Sequence, residues 1–194
     1  DSGEINLAKK AIQLATKQHP IHSELLLLKS ELLIFDGAYE DAKLLLESIE
    51  EIDPKNQETF VQRATIFSKN KNHQAAIDLL LESLKHSEEL IEIWCLLGME
   101  FMVIEKYSEA IEYFKLCIEQ DPEDYQVLYN LLFCFEFLRE YEQAIEVLNK
   151  ILEKNPYNEI AWHEIGKQYL NLDRDKDALN AFDFAIISED QFTG

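Results

Sequence analysis

Histidine and cysteine, the side chains that most often carry out chemistry, are few in this sequence and do not form a recognisable site. His19 and His22 flank Pro20, a pattern typical of a turn, and two histidines there are more often exposed to solvent than bound to a metal. His163 stands beside Glu164, but no nucleophile with an adjacent base is arranged around it. We therefore expect no catalytic residues and predict that the chain is not an enzyme.

The three cysteines, Cys95, Cys117 and Cys134, are an odd number and form no CxxC pair. A disulfide framework or a zinc site is therefore not expected, and the reduced thiols of an intracellular protein fit this count better. Dinucleotide-binding GxGxxG, Walker-type and HExxH patterns do not occur either. The sequence predicts neither a metal site nor a cofactor.

The charge balance, 38 acidic against 18 basic residues, gives a formal net charge of −20. Such a field repels phosphate backbones and anionic membrane surfaces, so we expect neither nucleic acid nor membrane as a partner. It would steer a partner with basic patches toward the protein. The alternative is an acidic surface that only keeps the chain soluble. Because no apolar run approaches the ~18 residues of a membrane span and no signal peptide is recognisable, we predict a cytoplasmic protein.

Any functional residue must be positioned by helices, and the sequence predicts that these helices repeat along the chain. The composition is rich in good helix formers, and 5 Gly and 4 Pro are too few for a loop-rich β fold. Pro20, Pro54, Pro122 and Pro156 are separated by 34, 68 and 34 residues, so they share one 34-residue grid whose vacant position is Glu88. A constant period of this length predicts a repeat protein.

When the prolines are assigned to position 32, the 34-residue grid divides the chain into five units and a half unit that contains a second helix only. The half unit is 4–22, and the full units are 23–56, 57–90, 91–124, 125–158 and 159–192. Position 20 is alanine in all six: Ala8, Ala42, Ala76, Ala110, Ala144 and Ala178. Apolar residues at positions 4, 7, 8 and 11 form one helical stripe and those at 20, 24 and 27 a second, so each unit is predicted to be a helix hairpin.

The third and fifth units carry the most complete form of this pattern. The third contains Trp94, Leu97, Gly98, Phe101, Tyr107, Ala110, Phe114, Cys117 and Pro122, and the fifth contains Trp162, Ile165, Gly166, Tyr169, Ala178, Phe182 and Ala185. The pattern resembles the tetratricopeptide repeat over nearly the whole chain. The resemblance implies an all-α fold, an α-α superhelix built as a right-handed solenoid of antiparallel hairpins, and a role in binding other proteins.

Local signals predict how each hairpin is built. The proline at position 32 should end the second helix, and Asn56, Asp124 and Asn158 are suited to N-cap the next first helix. A small residue at position 8 should face the alanine at position 20 and allow close helix approach. Because Leu132 is large at position 8, we expect the fourth hairpin to be splayed or shifted. The second unit, with Arg63, Ser83 and Glu88 at atypical positions, is expected to be the most mobile.

The candidate binding residues follow from the resemblance, which implies that positions 2, 5, 6, 9, 12 and 13 face a concave groove. Glutamates at position 2 form a predicted acidic ladder, and Met and aromatic side chains form a stripe in the third and fourth units. The predicted peptide-binding residues are Glu58, Gln62, Glu92, Cys95, Met99, Met102, Tyr129, Asn130, Phe133, Phe137, His163 and Lys167.

The predicted partner is a peptide or helix with apolar and basic residues, because Met and aromatic residues are common at adaptable binding surfaces. The alternative for the stripe is ordinary core, buried by a neighbouring segment or by tight curvature. Two alternatives remain for the chain as a whole. It could be a structural segment of a larger repeat protein that self-associates through open solenoid ends, or a regulatory domain of a truncated multidomain protein.

Overall fold

The computed structural model describes residues 2–19, 22–54, 56–86 and 90–192. These residues form α-helices and no strand, which confirms the predicted all-α fold. The helices are α1 Ser2–Gln18, α2 Ser23–Phe35, α3 Tyr39–Ile52, α4 Gln57–Lys69, α5 His73–Ser83, α6 Ile91–Val103, α7 Tyr107–Gln120, α8 Tyr125–Leu138, α9 Tyr141–Lys154, α10 Glu159–Asn171 and α11 Asp175–Phe192. Pro20, Glu88 and Glu89 lie outside the described residues.

The predicted start and stop signals are confirmed where the structure describes them. The side chains of Asn56, Asp124 and Asn158 each accept a hydrogen bond from a backbone N–H in the first turn of α4, α8 and α10. Helices α3, α7 and α9 each end two residues before a proline of the 34-residue grid. The caps and prolines thus set the ends of the helices as local chemistry requires.

One turn geometry closes each described hairpin. A residue with positive φ follows the first helix at intervals of 34 residues: Gly37, Lys71, Glu105, Arg139 and Asp173. The N–H of the next residue donates to the carbonyl oxygen five residues back, at 2.8–2.9 Å, which is the Schellman arrangement. Four of these residues adopt the left-handed conformation although they carry a Cβ, which costs roughly 1–2 kcal/mol each. The sequence showed no such signal, because only Gly37 is a glycine.

The chain forms two compact units, Asp1–Ile93 and Trp94–Gly194, called here the N-terminal and C-terminal units. In the N-terminal unit, Leu26 of α2, Leu46 and Ile49 of α3 and Ile66 of α4 form a buried core. In the C-terminal unit the largest fully buried side chains come from α6 to α10: Leu97, Phe114, Leu128, Leu148, Ile151 and Ile165. These are the apolar positions of the repeat, so each stripe is buried as its helical periodicity predicted.

Close approach of the paired helices depends on a glycine and a phenylalanine ring. A Cβ added at Gly98 would lie 2.5 Å from Cε1 of Phe114, and one at Gly166 would meet Phe182 in the same way. The three atoms nearest to each added Cβ belong to the ring at position 24, and the expectation that position 8 faces the alanine at position 20 stays a prediction. The fourth unit combines Leu132 with Leu148 at these positions, both buried. The splaying expected there, and the mobility of the second unit, stay predictions.

Polar bonds link successive hairpins within each unit. In the N-terminal unit, Arg63 Nη1 donates to Glu50 Oε1 at 2.5 Å, so an atypical residue of the second unit pairs with the preceding hairpin. Ser30 Oγ donates to Gln62 Oε1, and in the C-terminal unit Gln168 Nε2 donates to Glu136 Oε1. Both of these bonds join residues 32 apart. Consecutive first helices therefore lie side by side in the same register in both units.

Candidate functional site

The N-terminal unit holds three of the predicted binding residues, and one of them is not accessible. Gln62 is only 5% exposed. Its Nε2 donates to Glu58 Oε1 at 3.0 Å and to the carbonyl oxygen of Leu27 at 3.3 Å, while its Oε1 accepts from Ser30. Glu92 is exposed, and Glu58 is half-buried. A ligand could reach Gln62 only by breaking bonds within the unit, so the acidic side chains are the accessible part of this group.

The C-terminal unit presents an exposed row of aromatic side chains on α8, which we call the aromatic patch: Tyr129, Phe133 and Phe137. They are 39%, 46% and 58% exposed. Spaced four residues apart, they lie along one face of the helix. Met99, on α6, is 37% exposed and Met102 is half-buried. Large apolar side chains that remain this exposed, side by side, are typical of a binding surface.

A buried tyrosine supports the aromatic patch from α7. The ring centroid of Tyr107 lies 4.4 Å from that of Phe137 and 6.0 Å from that of Phe133, and the two phenylalanine rings are 5.7 Å apart. Tyr107 itself is 9% exposed. Because these rings hold one another in place, the patch is preorganised and a ligand loses little entropy in ordering it. The sequence identified Tyr107 only as a repeat position, not as a support.

Cys95 and Cys117 meet between α6 and α7, with their Sγ atoms 2.7 Å apart. Cys95 is half-buried, whereas Cys117 is 1% exposed. The hydrogen bond with Cys95 and burial both raise the pKa of the Cys117 thiol far above its usual range. Cys95, predicted as a groove residue, therefore has its sulfur turned toward the second helix of its own hairpin.

The remaining predicted residues lie on α8 and α10 of the C-terminal unit. Asn130 is half-buried, and its Oδ1 accepts from Gln126 Nε2 at 3.4 Å. Lys167 is paired with Glu164 at 2.5 Å, and Nδ1 of His163 lies 3.7 Å from the same carboxylate. Lys167 is therefore engaged by its own helix, and the exposed His163 ring borders an open cleft of 410 Å³ that Ile160 and Ile186 also line.

Glu136, which the sequence-based site did not include, is a half-buried carboxyl group on α8. Burial raises its pKa, and the negative charge of Glu164 raises it further. Lys167 and the hydrogen bond from Gln168 act in the opposite direction without cancelling the effect. The charged form of Glu136 is thus disfavoured in the folded protein.

The raised pKa predicts that Glu136→Gln will stabilise the C-terminal unit at neutral pH. A folded pKa above the unfolded value means that this carboxyl group favours folding only at low pH, and that the advantage is lost as the pH rises through the folded pKa. The uncharged amide of the variant has no charged form to disfavour, so this loss of stability does not occur. The expected gain in the free energy of unfolding is below ~1 kcal/mol, because solvent screens a half-exposed group. Urea unfolding at several pH values should show the gain at pH 7 and its disappearance below about pH 4. An equal effect at both pH values would contradict the charge explanation.

The sequence profile of the tetratricopeptide repeat family matches residues 105–169. The TPR repeat-containing protein YpiA of Bacillus subtilis is 27% identical over 141 residues, which cover 71% of this chain and 33% of that protein. Subunit cut9 of the anaphase-promoting complex of Schizosaccharomyces pombe is 25% identical over 154 residues, covering 77% and 22%. The chain thus spans a third or less of the length of these two relatives.

Solved structures show the same fold. YrrB, described as a tetratricopeptide protein with an unusual peptide-binding site, superimposes with a TM-score of 0.72 at 17% identity, covering 92% of each chain. MamA superimposes with a TM-score of 0.73 at 20% identity, covering 87% of this chain and 92% of its own. At these identities the likeness establishes the arrangement of helices. The predicted repeat fold is confirmed.

Proposed function

We propose that this chain is a protein-interaction scaffold of the tetratricopeptide repeat type, whose C-terminal unit binds a partner through the aromatic patch. The observation that carries the proposal is the exposed row of Tyr129, Phe133 and Phe137, in which the two phenylalanine rings pack against each other. No helix within the described residues is long and apolar enough to cross a membrane.

The chemistry of the patch favours a peptide or helix with apolar side chains and basic neighbours. Aromatic side chains bury a large apolar area when a ligand covers them, and such residues dominate the energy of many interfaces. The net charge of −20 favours a cationic partner and speeds its association. Peptide binding by a protein of similar fold, YrrB, supports this class of ligand.

Replacement of a patch residue should weaken peptide binding without loss of the fold. Peptides selected from a random display library on the full chain should lose at least about tenfold in affinity when Phe133 or Phe137 is replaced by alanine. Phe35→Ala is the matched control, because Phe35 holds the same repeat position as Phe137, is 70% exposed and lies in the N-terminal unit. Fluorescence anisotropy measures the affinities, and circular dichroism verifies the helix content.

Two results would count against the patch as the binding surface. One is selection of peptides whose affinity is the same for the wild type and for both phenylalanine variants. The other is an equal loss of affinity on Phe35→Ala, which would show that any exposed aromatic side chain serves.

Self-association through α11 is the second candidate function. Leu179 and Ile186 of α11 are 63% and 59% exposed, whereas the residues at the same repeat positions of α9, Ile145 and Leu152, are each 7% exposed. Helix α9 packs against the helix that follows it, α10. The corresponding face of α11 is the one that carries the exposed Leu179 and Ile186. Light scattering of the full chain across a concentration range, compared with Leu179→Glu, tests this. A monomer at every concentration would reject it.

A further inference from the structure

Glu136 occupies the same face of α8 as the aromatic patch. It follows Tyr129 by seven residues and Phe133 by three, so the carboxylate and the two rings point to the same side of the helix. Unlike many half-buried carboxylates, Glu136 has no ion pair within the part of the chain that the structure describes. Its hydrogen-bond partner is the neutral amide of Gln168.

The positive charge near Glu136 is already engaged by another carboxylate. Lys167 lies close enough to influence Glu136, but its ammonium group is already paired with Glu164 at 2.5 Å. Two carboxylates therefore share one cation at this point. A second cation would relieve the repulsion between Glu136 and Glu164 and would pair with a carboxylate that is now held by one amide only.

The side-chain amide of Gln168 is a second, independent observation that points to a ligand beside Glu136. Its side chain is 1% exposed and its Nε2 donates to Glu136, yet its Oε1 is buried without a hydrogen-bond partner. A buried acceptor without a donor costs roughly 1–3 kcal/mol, so proteins seldom leave one without a reason. A donor bound at Glu136 would lie beside this amide group, whose terminal torsion is soft.

The same unit already holds one guanidinium by a ring and a carboxylate. Cζ of Arg174 lies 4.5 Å from the ring centroid of Tyr169, and its Nε donates to Asp177 Oδ2 at 2.7 Å. Its Nη2 lies 2.7 Å from that same oxygen. Phe133 and Glu136 offer the same pair of chemical groups, an exposed ring and a carboxylate, without an arginine of this chain between them.

We infer that Glu136, Gln168 and the ring of Phe133 form a receptor for the guanidinium group of an arginine side chain of the partner. A guanidinium has five N–H donors in a planar fork, so it can bond to the carboxylate and the orphan amide oxygen while its plane lies on the ring. A lysine ammonium offers a compact charge without the stacking plane and fits less well. The inference rests on the proposed function, because it names one side chain of the segment that the aromatic patch would bind.

A small probe tests the receptor without any assumption about the peptide. N-acetylarginine N-methylamide, added to the full chain, should shift the side-chain amide resonances of Gln168 in a ¹⁵N NMR titration. The citrulline analogue, which has nearly the same shape but no charge, should shift them little. Glu136→Gln should abolish the response to arginine, and the exposed Glu142→Gln should leave it unchanged.

Glu136→Gln also separates binding from folding, because the same change is expected to make the unit more stable. A variant that is at least as stable as the wild type but no longer binds arginine cannot owe its defect to misfolding. Equal responses to arginine and citrulline, or a full response in Glu136→Gln, would overturn the inference.

A peptide experiment distinguishes the two proposals. In a peptide selected on the wild-type chain, replacement of the key arginine by citrulline should lower the affinity by about tenfold, the range expected for a charge-assisted hydrogen bond. If the peptide depends on Phe133 but tolerates citrulline everywhere, the receptor is wrong and the proposed function stands. If the arginine probe shifts Gln168 but no peptide binds the patch, the receptor stands and the proposed function fails.

Discussion

Gly98→Leu will destabilise the C-terminal unit by about 3 kcal/mol, and the second change Phe114→Leu will recover a large part of that loss. A Cβ at residue 98 would lie 2.5 Å from the ring of Phe114. Because this ring is fully buried, it cannot move away without displacing its neighbours. Replacing the ring by leucine opens the space that the new side chain needs. Urea unfolding followed by circular dichroism measures the free energies.

The fourth repeat unit is the reason to expect recovery. It holds Leu132 and Leu148 at the two positions that are Gly98 and Phe114 in the third unit, and both leucines are buried. Glycine with phenylalanine and leucine with leucine are thus two solutions to one packing problem. Phe114→Leu alone should cost about 1–2 kcal/mol through the cavity it leaves.

A double-mutant cycle measures the coupling energy between residues 98 and 114. A coupling energy above about 1 kcal/mol in the favourable direction is expected, because the two side chains compete for one volume. If the double variant loses as much stability as the two single variants together, the ring at position 24 does not limit the residue at position 8.

Mild oxidation with diamide will join Cys95 to Cys117 and raise the free energy of unfolding of the C-terminal unit by about 3 kcal/mol. The two Sγ atoms are 2.7 Å apart, and the bond would close a loop between residues 22 apart in sequence. The two thiols lose their hydrogens to diamide, which is reduced to the hydrazine. Cys95 should react first, because it is the more exposed of the two and the pKa of Cys117 is strongly raised.

Cys134 provides an internal control for the oxidation. It is fully buried, and burial raises the pKa of its thiol to about 11. Titration of thiols after unfolding should therefore find one remaining in the oxidised chain. Cys117→Ala should show no gain in stability after the same treatment. Three thiols in the oxidised and unfolded chain would contradict the prediction.

Short-range patterns made most of the helical architecture predictable. Proline at position 32, the N-caps Asn56, Asp124 and Asn158, and the apolar stripes each act within one or two turns of a helix, so their effect can be read along the chain. The exposed aromatic row was predictable for the same reason, since Tyr129, Phe133 and Phe137 are spaced for one helix face and are not needed for hairpin packing.

Contacts across helices were not predictable in the same way. Gln62 was expected at a binding surface, but Ser30, 32 residues earlier, holds it in a buried bond. The 22-residue separation of Cys95 and Cys117 gave no sign that their sulfurs meet. In each case the contact depends on how one helix is rotated relative to another. That rotation is set by the packing of all the side chains between the two helices.

The sequence by itself determined the period of the repeat, the ends of its helices and which faces are apolar, because these follow from backbone preferences and local spacing. Only the tertiary structure decided which polar groups are satisfied within the protein and which are not. Gln62 has its hydrogen bonds, whereas Gln168 retains an acceptor without a donor, beside a carboxylate whose nearby lysine is paired with Glu164. The physical reason is that hydrogen bonds and ion pairs depend on distances of a few ångströms between residues far apart in sequence.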